Sequence, residues 1–134
     1  MVISTLFIIQ IAKAESFGKV TVSKIVRVYD GDTFFANIDG WPPLIGKVIG
    51  VRVAGIDTPE LRTKSASEKQ RAIEARALAS KMLRGATVVE LCNIRRDKYF
   101  RILADVHVDG QNLAEVLIRN QLARPYDGGT KQIW

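Results

Sequence analysis

Apolar and polar residues alternate along much of the chain, in short runs that end at turn residues. A period of two places successive side chains on opposite faces of a strand, so these runs predict β-strands rather than helices. In the last run, Ile102, Ala104 and Val106 share one face while His107 lies on the other. The predicted strands are 20–28, 33–38, 48–56, 87–94 and 102–108.

A helical period, with apolar residues three or four positions apart, occurs in two further segments. Ser67 and Gln70 have the spacing of a capping box, which predicts a helix over 67–83 that ends before a glycine. The apolar stripe of this helix would consist of Ile73, Ala77, Leu78 and Met82. A second helix is predicted to begin near Asn112, with Glu115 completing its cap. Three strands, a helix, two strands and a helix is the order of a mainly β, five-stranded barrel of the oligonucleotide-binding (OB) type with two helices.

Length and composition limit the possibilities for this fold. A chain of 134 residues suffices for one domain with one core. Lys and Arg number 20 against 14 Asp and Glu, and the net charge of +6 is compatible with a polyanionic partner or with an ordinary basic surface. Cys92 is the single cysteine, so an intrachain disulfide is excluded.

The first residues differ in character from the rest of the chain. The stretch "MVISTLFIIQIAKA" is apolar from Val2 to Ala12 and closes in the small-x-small pattern of a secretory cleavage site. It lacks a basic residue before its apolar part and is too short to span a membrane. We expect residues 1–14 to be a signal peptide, which would place the mature domain, 15–134, outside the cytoplasm, secreted or periplasmic. A buried strand or helix is the alternative.

Carboxylates stand at the ends of two predicted strands. In "YDGDTFF", Asp30 and Gly31 suit a tight turn with positive backbone angles, but such a turn does not require Asp32. In "VRVAGIDTPE", Asp57 ends a strand and Glu60 follows three residues later. Each acid alone suits a turn or a cap. Together they could form a hard oxygen site for a divalent ion such as calcium, because carboxylates brought close repel unless a cation lies between them.

Basic residues occur inside one strand and in one connection. Arg52 lies within the third predicted strand, where a charge needs a partner or a function. The connection "RRDKYFR" interleaves Tyr99 and Phe100 with cations. A solvated basic loop would have this composition, but so would a nucleic-acid surface, since bases stack on rings while Lys and Arg neutralise phosphates.

These residues together resemble the staphylococcal nuclease (thermonuclease) family. The matching motifs, which occur in the family's order, are "DGDT", "VRVAGIDTPE", "DKYFR" and "LIRNQLARPY". The resemblance covers roughly residues 20–134 and is closest to the shorter bacterial members. It implies a calcium-dependent phosphodiesterase on an OB-fold barrel, one that cuts DNA and RNA with little sequence preference and leaves 3'-phosphate and 5'-hydroxyl ends.

The resemblance also implies a role for each matching residue. Asp32 and Asp57 would be carboxylate ligands of the metal, with the backbone carbonyl of Thr58, and Glu60 would be the general base for the attacking water. The two guanidinium groups that clamp the phosphate would be Arg52 and Arg101, and the phosphate-contacting binding residues would be Lys98 and Tyr99. Bidentate cations suit this place because charge grows on the phosphate oxygens in the transition state. Phe100 stands where the family often has glycine. The family's later nucleotide-stacking tyrosine has no secure counterpart here, although Tyr126 is nearby.

Two other functions are compatible with parts of the sequence. A non-catalytic OB-fold module that binds single-stranded nucleic acid would use the basic groove and the aromatic residues without the acids. A degenerate member acting as a protein-interaction domain would be expected to have lost some of the five residues Asp32, Arg52, Asp57, Glu60 and Arg101, and all five are present. We expect the processed nuclease to act as a monomer without stable membrane association.

Overall fold

The computed structural model describes residues 15–134, so the expected signal peptide, residues 1–14, lies outside the described residues. The strands are β1 (Val20–Thr21), β2 (Lys24–Val28), β3 (Thr33–Asn37), β4 (Ile49–Val53), β5 (Ile56–Asp57), β6 (Val89–Arg96), β7 (Arg101–Val108), β8 (Gln111–Asn112) and β9 (Arg124–Pro125). The helices are α1 (Pro43–Gly46), α2 (Ala66–Gly85) and α3 (Leu113–Arg119). No helix among these residues combines the length and the apolar character that a membrane span needs.

The main sheet is mixed and curled. Its strands follow the order β1, β6, β7, β4, β3, β2, with β8 added against β7. All neighbouring strands run antiparallel except β4 and β7, which are parallel. The outer strands β1 and β2 are consecutive in the chain, so the two ends of the sheet approach each other. This confirms a mainly β fold of the OB type.

The first predicted strand is divided between the two ends of this sheet. Val20 pairs with Leu91 of β6, whereas Lys24 pairs with Asn37 of β3. The backbone N–H of Val22 donates to Val89 and that of Ser23 to Asn37, so the chain changes partner between them. The strand predicted over 20–28 therefore serves as two, because only a bend lets one segment reach both neighbours.

The core fills the inside of the curled sheet, and its members are spaced as the alternation predicts. Val51 and Val53 of β4 and Val106 of β7 are at most 1% exposed, with Ala104 beside them. Leu117 of α3 is fully buried against the same cluster. Full burial of an aliphatic side chain of this size contributes about 1.5–3 kcal/mol, so these positions account for much of the fold's stability.

Helix α2 begins at a different cap from the predicted one. The hydroxyl of Ser65, not of Ser67, accepts from the backbone N–H of Glu68 at 3.3 Å, so the Ser67 and Gln70 capping box is wrong. The buried face consists of Ala72, Ala75, Ala79 and Leu83. Of the predicted stripe, Ile73 (46% exposed) and Ala77 are wrong because both face solvent, whereas Leu78 and Met82 pack against the core as predicted. Alanines face the sheet because their small side chains let the helix approach it closely. The sequence pattern had instead placed the larger apolar residues on this face.

The number of helices also differs from the prediction. Helix α3 begins as expected, with the side chain of Asn112 accepting from the backbone N–H of Glu115 at 3.2 Å. The connection between β3 and β4, however, contains the short helix α1. Its sequence over residues 39–46 is "DGWPPLIG", and the helix starts at Pro43. Proline suits this position because its fixed φ matches a first helical turn and its missing N–H is not needed there. Residues 15–134 therefore contain three helices rather than the predicted two.

Candidate functional site

Asp32 lies directly before β3 and is only 3% exposed. Its Oδ2 accepts from the backbone N–H and the hydroxyl of Thr58, both at 3.1 Å, and its Oδ1 accepts from the hydroxyl of Thr33 at 2.9 Å. Thr58, itself 2% exposed, follows β5. The buried carboxylate of Asp32 thus holds the segment after Asp57 against the start of β3.

Gly31 is needed here for a reason other than the predicted turn. Its φ lies outside the left-handed region, so the expectation of positive backbone angles is wrong at this position. A Cβ on Gly31 would lie 2.8 Å from the Cβ of Ala75 and 2.9 Å from the Cγ2 of Thr58. Only glycine lets this segment fit between helix α2 and Thr58, and that close packing places Asp32 beside Thr58.

Arg52 brings the two strand-end carboxylates together. Its Nη1 lies 3.3 Å from Oδ1 of Asp32, and its Nη2 lies 3.7 Å from Oδ1 of Asp57. The Nη2 also donates to the carbonyl of Ile56 at 3.1 Å. The Arg52 side chain is 15% exposed and the two carboxylates less than that. One guanidinium therefore contacts both acids, and the two strand-end carboxylates come close together.

Asp57 keeps one oxygen without a well-aligned donor. Within residues 15–134, its buried Oδ1 accepts no hydrogen bond of good geometry, although Nζ of Lys131 lies 3.0 Å away. Burial would lower the pKa of Lys131, but contact with and attraction to Asp57 outweigh it and raise that pKa above its usual value. The contact is thus an electrostatic attraction rather than a fully satisfied hydrogen bond.

Glu60 lies at the rim of the acidic cluster. Its side chain is 56% exposed, and its Oε1 lies 3.6 Å from Nζ of Lys131. The backbone N–H of Glu60 donates weakly, at 3.4 Å, to the carboxylate of Glu68 in the first turn of α2. Glu68 also accepts from the hydroxyl of Thr63 at 2.8 Å. The start of α2 thereby positions the loop that carries Glu60, and the Glu60 carboxylate itself stays accessible to solvent.

Asp30 is a further carboxyl group in this region, and its pKa is raised. Its burial, and then the charge of neighbouring Asp32, raise the pKa of Asp30 to about 7, with a smaller contribution from Glu60. Burial is the main cause of this raised pKa, and the nearby carboxylates add to it. The crowding favours a cation near Asp32.

The second predicted guanidinium lies on the adjacent strand. In the parallel pairing of β4 with β7, Gly50 is opposite Arg101 and Arg52 is opposite Leu103, so the two arginines lie on neighbouring strands one pleat apart. The Nε of Arg101 donates to Asp97 at 2.6 Å. That ion pair fixes the Arg101 side chain at the base of the hairpin between β6 and β7.

A cleft of about 460 Å³ joins these groups, and Arg52 and Arg101 both line it. Lys98 and Tyr99 line the same cleft from the hairpin loop, and Tyr99 is 86% exposed. The other cations on its wall are Arg95 and Lys131. Asp57 lines an adjoining depression of about 600 Å³ that shares Lys131 with the cleft. A phosphate in the cleft would meet several cations. Asp97 and Asp127 also line the cleft, and Asp57 lies to one side of it.

Three residues of the site were missed by the sequence analysis or left open there. Lys131 contacts Asp57 because β9 pairs with β5 and directs the C-terminal segment across the site. Tyr126 lines the cleft, with its ring centre 6.0 Å from the guanidinium carbon of Arg52. Asp97 orients Arg101. Of these three, only Asp97 could have been identified from the sequence, because it lies four residues before Arg101 in the same connection.

Oxygen donors, rather than His or Cys, dominate the candidate metal position. Over the described range, no three His, Cys, Asp or Glu side chains come close enough to hold an ion by themselves. A site there needs the expected combination of two carboxylates, a backbone carbonyl and waters. Asp32, Asp57 and Thr58 lie side by side, and the buried Asp57 Oδ1 lacks a well-aligned donor. The residues present therefore fit a hard divalent cation.

Comparison with models of protein families identifies a match over much of the chain. The model of the family described as "Staphylococcal nuclease homologue" matches residues 50–132, more than half of the chain. The matched stretch contains Arg52, Asp57, Glu60 and Arg101, while Asp32 precedes it.

Several curated proteins are similar to this chain. The SPbeta prophage-derived endonuclease YokF of Bacillus subtilis (strain 168) is 34% identical over 112 residues, which are 80% of this chain and 36% of that protein. Endonuclease YncB of the same strain is 33% identical over 112 residues, which are 80% of this chain and 50% of that protein. The thermonuclease of Staphylococcus hyicus is 31% identical over 102 residues, which are 75% of this chain and 57% of that protein. The chain thus spans between about a third and three fifths of these relatives.

The curled mixed sheet, the buried acids at its strand ends and the family match over residues 50–132 lead to one assignment. The chain belongs to the staphylococcal nuclease family.

Proposed function

We propose that this chain is a calcium-dependent nuclease that hydrolyses DNA and RNA with little sequence preference, leaving 3'-phosphate and 5'-hydroxyl ends. The observation that carries the proposal is the convergence of Asp32 and Asp57 on the single guanidinium of Arg52, at the edge of a cleft lined by cations. Relatives named as endonucleases and a thermonuclease support it. A module that only binds nucleic acid would gain nothing from burying two carboxylates beside the phosphate path.

The metal would be held by the carboxylates of Asp32 and Asp57 and the backbone carbonyl of Thr58. When bound, calcium supplies positive charge that neutralises a phosphate oxygen and lowers the pKa of nearby water. The chain prepares for this by burying Asp32 and by fixing it with the two hydrogen bonds from Thr58. Arg52 and Lys131 balance part of the same negative charge.

The remaining steps belong to the chain's own side chains. Arg101, oriented by Asp97, and Arg52 would hold the two non-bridging oxygens of the scissile phosphate, where charge accumulates during the reaction. Glu60 would accept a proton from the water that attacks phosphorus, and its exposure leaves it free to do so. The bond from phosphorus to the 5' oxygen then breaks, that oxygen takes up a proton from solvent, and Glu60 releases its proton to solvent. Lys98 and Tyr99 would hold the neighbouring nucleotide.

Chelation is the direct test of the proposal. Purified protein incubated with single-stranded DNA is expected to cut it with calcium and to leave it intact with chelator, because the carboxylate pair needs a divalent cation. Gel analysis of end-labelled DNA, with phosphatase treatment of the products, checks for 3'-phosphate ends, and magnesium provides the comparison ion. Cleavage that continues in chelator would contradict the metal requirement. DNA that binds tightly, sensitively to salt, yet stays whole in all three conditions would favour the non-catalytic OB-fold module.

We also propose export, on the pattern of residues 1–14 alone. Expressed with its N-terminus intact in a bacterial host, the protein should be recovered from the periplasm or medium, with Glu15 as its first residue. N-terminal sequencing of the recovered protein measures this. Retention in the cytoplasm with Met1 or Val2 still present would contradict the proposal.

A further inference from the structure

A second depression lies on the other side of the hairpin from the cationic cleft. It has a volume of about 470 Å³, and three aromatic side chains, Phe17, Trp41 and Phe100, line it. Its apolar floor includes Ile45, Ile49 and Ile102. We call this depression the aromatic groove. None of its aromatic residues belongs to the candidate site described above.

The aromatic groove exposes large rings to solvent. Phe17 is 50% exposed and Phe100 is 71% exposed. The backbone of Phe100 has φ 55°, in the left-handed region that bulky residues rarely adopt. A phenylalanine is disfavoured in this conformation, whereas a glycine would not be. An exposed aromatic side chain kept in a strained loop indicates a binding role rather than a contribution to the core.

Charge identifies the kind of ligand. Arg95, Arg96 and Arg101 line the aromatic groove, against one acid, Asp97, whose carboxylate is bound to Arg101. The guanidinium carbon of Arg96 lies 5.7 Å from the ring centre of Phe17. A ligand that suits this groove has flat apolar parts and negative charges, which describes the bases and phosphates of an unpaired strand. A second copy of this basic chain would be repelled, since its net charge is +6.

The aromatic groove is continuous with the cationic cleft. Arg95, Asp97 and Arg101 line both, and the hairpin loop directs Tyr99 into the cleft and Phe100 into the groove. A strand held at Arg101 can therefore pass over the loop from one depression into the other.

We propose that the aromatic groove is a second base-binding subsite, which stacks unpaired bases of the strand beyond the nucleotide held in the cleft. The inference rests on the proposed nuclease function. It assigns Phe17, Trp41 and Phe100 to substrate binding and to no chemical step. Longer oligonucleotides then bind more tightly than dinucleotides, because only they reach the groove.

Binding to oligothymidylates in chelator, followed by fluorescence anisotropy, tests the subsite without cleavage. Phe17→Ala is expected to weaken binding of a long oligothymidylate by about tenfold, since stacking of one base contributes about 1–3 kcal/mol. A dinucleotide should bind this variant and the wild type equally. Phe17→Trp should retain the affinity for the long strand. Ile73→Ala, which removes a similarly exposed apolar side chain on α2 away from the groove, is the matched control and should bind as the wild type.

A second measurement separates failure of the subsite from failure of the nuclease proposal. Hydrolysis of a thymidine phosphodiester with a chromogenic leaving group, with calcium, depends on the cleft alone. The Phe17 variant should cleave it at the wild-type rate, and its thermal melting shows that it is folded.

Phe17→Ala and Phe100→Ala proteins that bind the long strand as tightly as the wild type would overturn the subsite. The subsite would also be overturned if Phe17→Ala altered the oligomeric state of the protein, measured by size-exclusion chromatography, while oligonucleotide binding stayed unchanged. An inactive wild type would refute the nuclease function, while the anisotropy result would still decide the subsite.

Discussion

Asp32→Asn is expected to lower the rate of DNA cleavage in calcium by about a hundredfold or more. The amide keeps the shape of the carboxylate and can still accept hydrogen bonds from Thr58. It loses the negative charge that would attract calcium, so calcium affinity should also fall, by about tenfold or more. Single-turnover cleavage of single-stranded DNA and calorimetric calcium titration measure the two effects.

The matched control for this variant is Asp39→Asn. It removes the same charge from an exposed position at the end of the β3 segment, away from the cleft. Its activity and calcium affinity should equal those of the wild type. Thermal melting in chelator should show both variants folded, so that a loss of rate cannot be attributed to unfolding. An Asp32→Asn protein that cleaves at the wild-type rate would remove Asp32 from the metal site and weaken the whole nuclease proposal.

Arg52→Met is expected to lower both stability and activity. The substitution leaves the buried carboxylates of Asp32 and Asp57 without the guanidinium that spans them. Removing one partner of a buried ion pair destabilises a protein by roughly 3–5 kcal/mol, because the remaining charge stays out of water. Lys131 still approaches Asp57, so we expect about 3 kcal/mol, with cleavage reduced by about a hundredfold or more. Urea unfolding in chelator measures the first effect.

Arg95→Met provides the comparison for stability. Arg95 pairs with Asp105 at 3.5 Å, but about 30% of each side chain is exposed. Exposed pairs contribute at most about 1 kcal/mol, so this variant should unfold nearly as the wild type does. Arg52→Lys should recover only part of the loss, because a lysine cannot contact both acids as the planar guanidinium does. Equal unfolding free energies for Arg52→Met and wild type would show that Arg52 does not balance the buried acids.

The elements of the fold that depend on neighbouring residues were predictable. Alternation correctly placed Ala104 and Val106 on the buried face of β7. The cap of α3 at Asn112 was correct because an N-cap bond joins residues only three apart. The Asp109-Gly110 pair, a sequence that favours a tight turn, adopts φ of 48° and 82° for the same local reason. Family membership also followed from short motifs whose order and spacing are visible in one dimension.

Predictions that depended on distant partners were less successful. The cap of α2 lies at Ser65 because Glu68 also binds Thr63 and the loop of Glu60, contacts that the Ser67 and Gln70 spacing does not show. The need for glycine at position 31 comes from Ala75 and Thr58, which approach it only in the folded chain. Both cases reflect packing between segments that are separate in the sequence.

The amino-acid sequence by itself determined which residue types are available for chemistry: the acids Asp32, Asp57 and Glu60, the arginines Arg52 and Arg101, and a basic connection with interleaved aromatic residues. Only the tertiary structure decided which of them meet. The parallel pairing of β4 with β7 places Arg101 near Arg52, and the pairing of β5 with β9 directs Lys131 to Asp57. Such contacts are absent from the linear pattern because attraction between charges depends on distance in space, and folding to bury the apolar faces sets that distance.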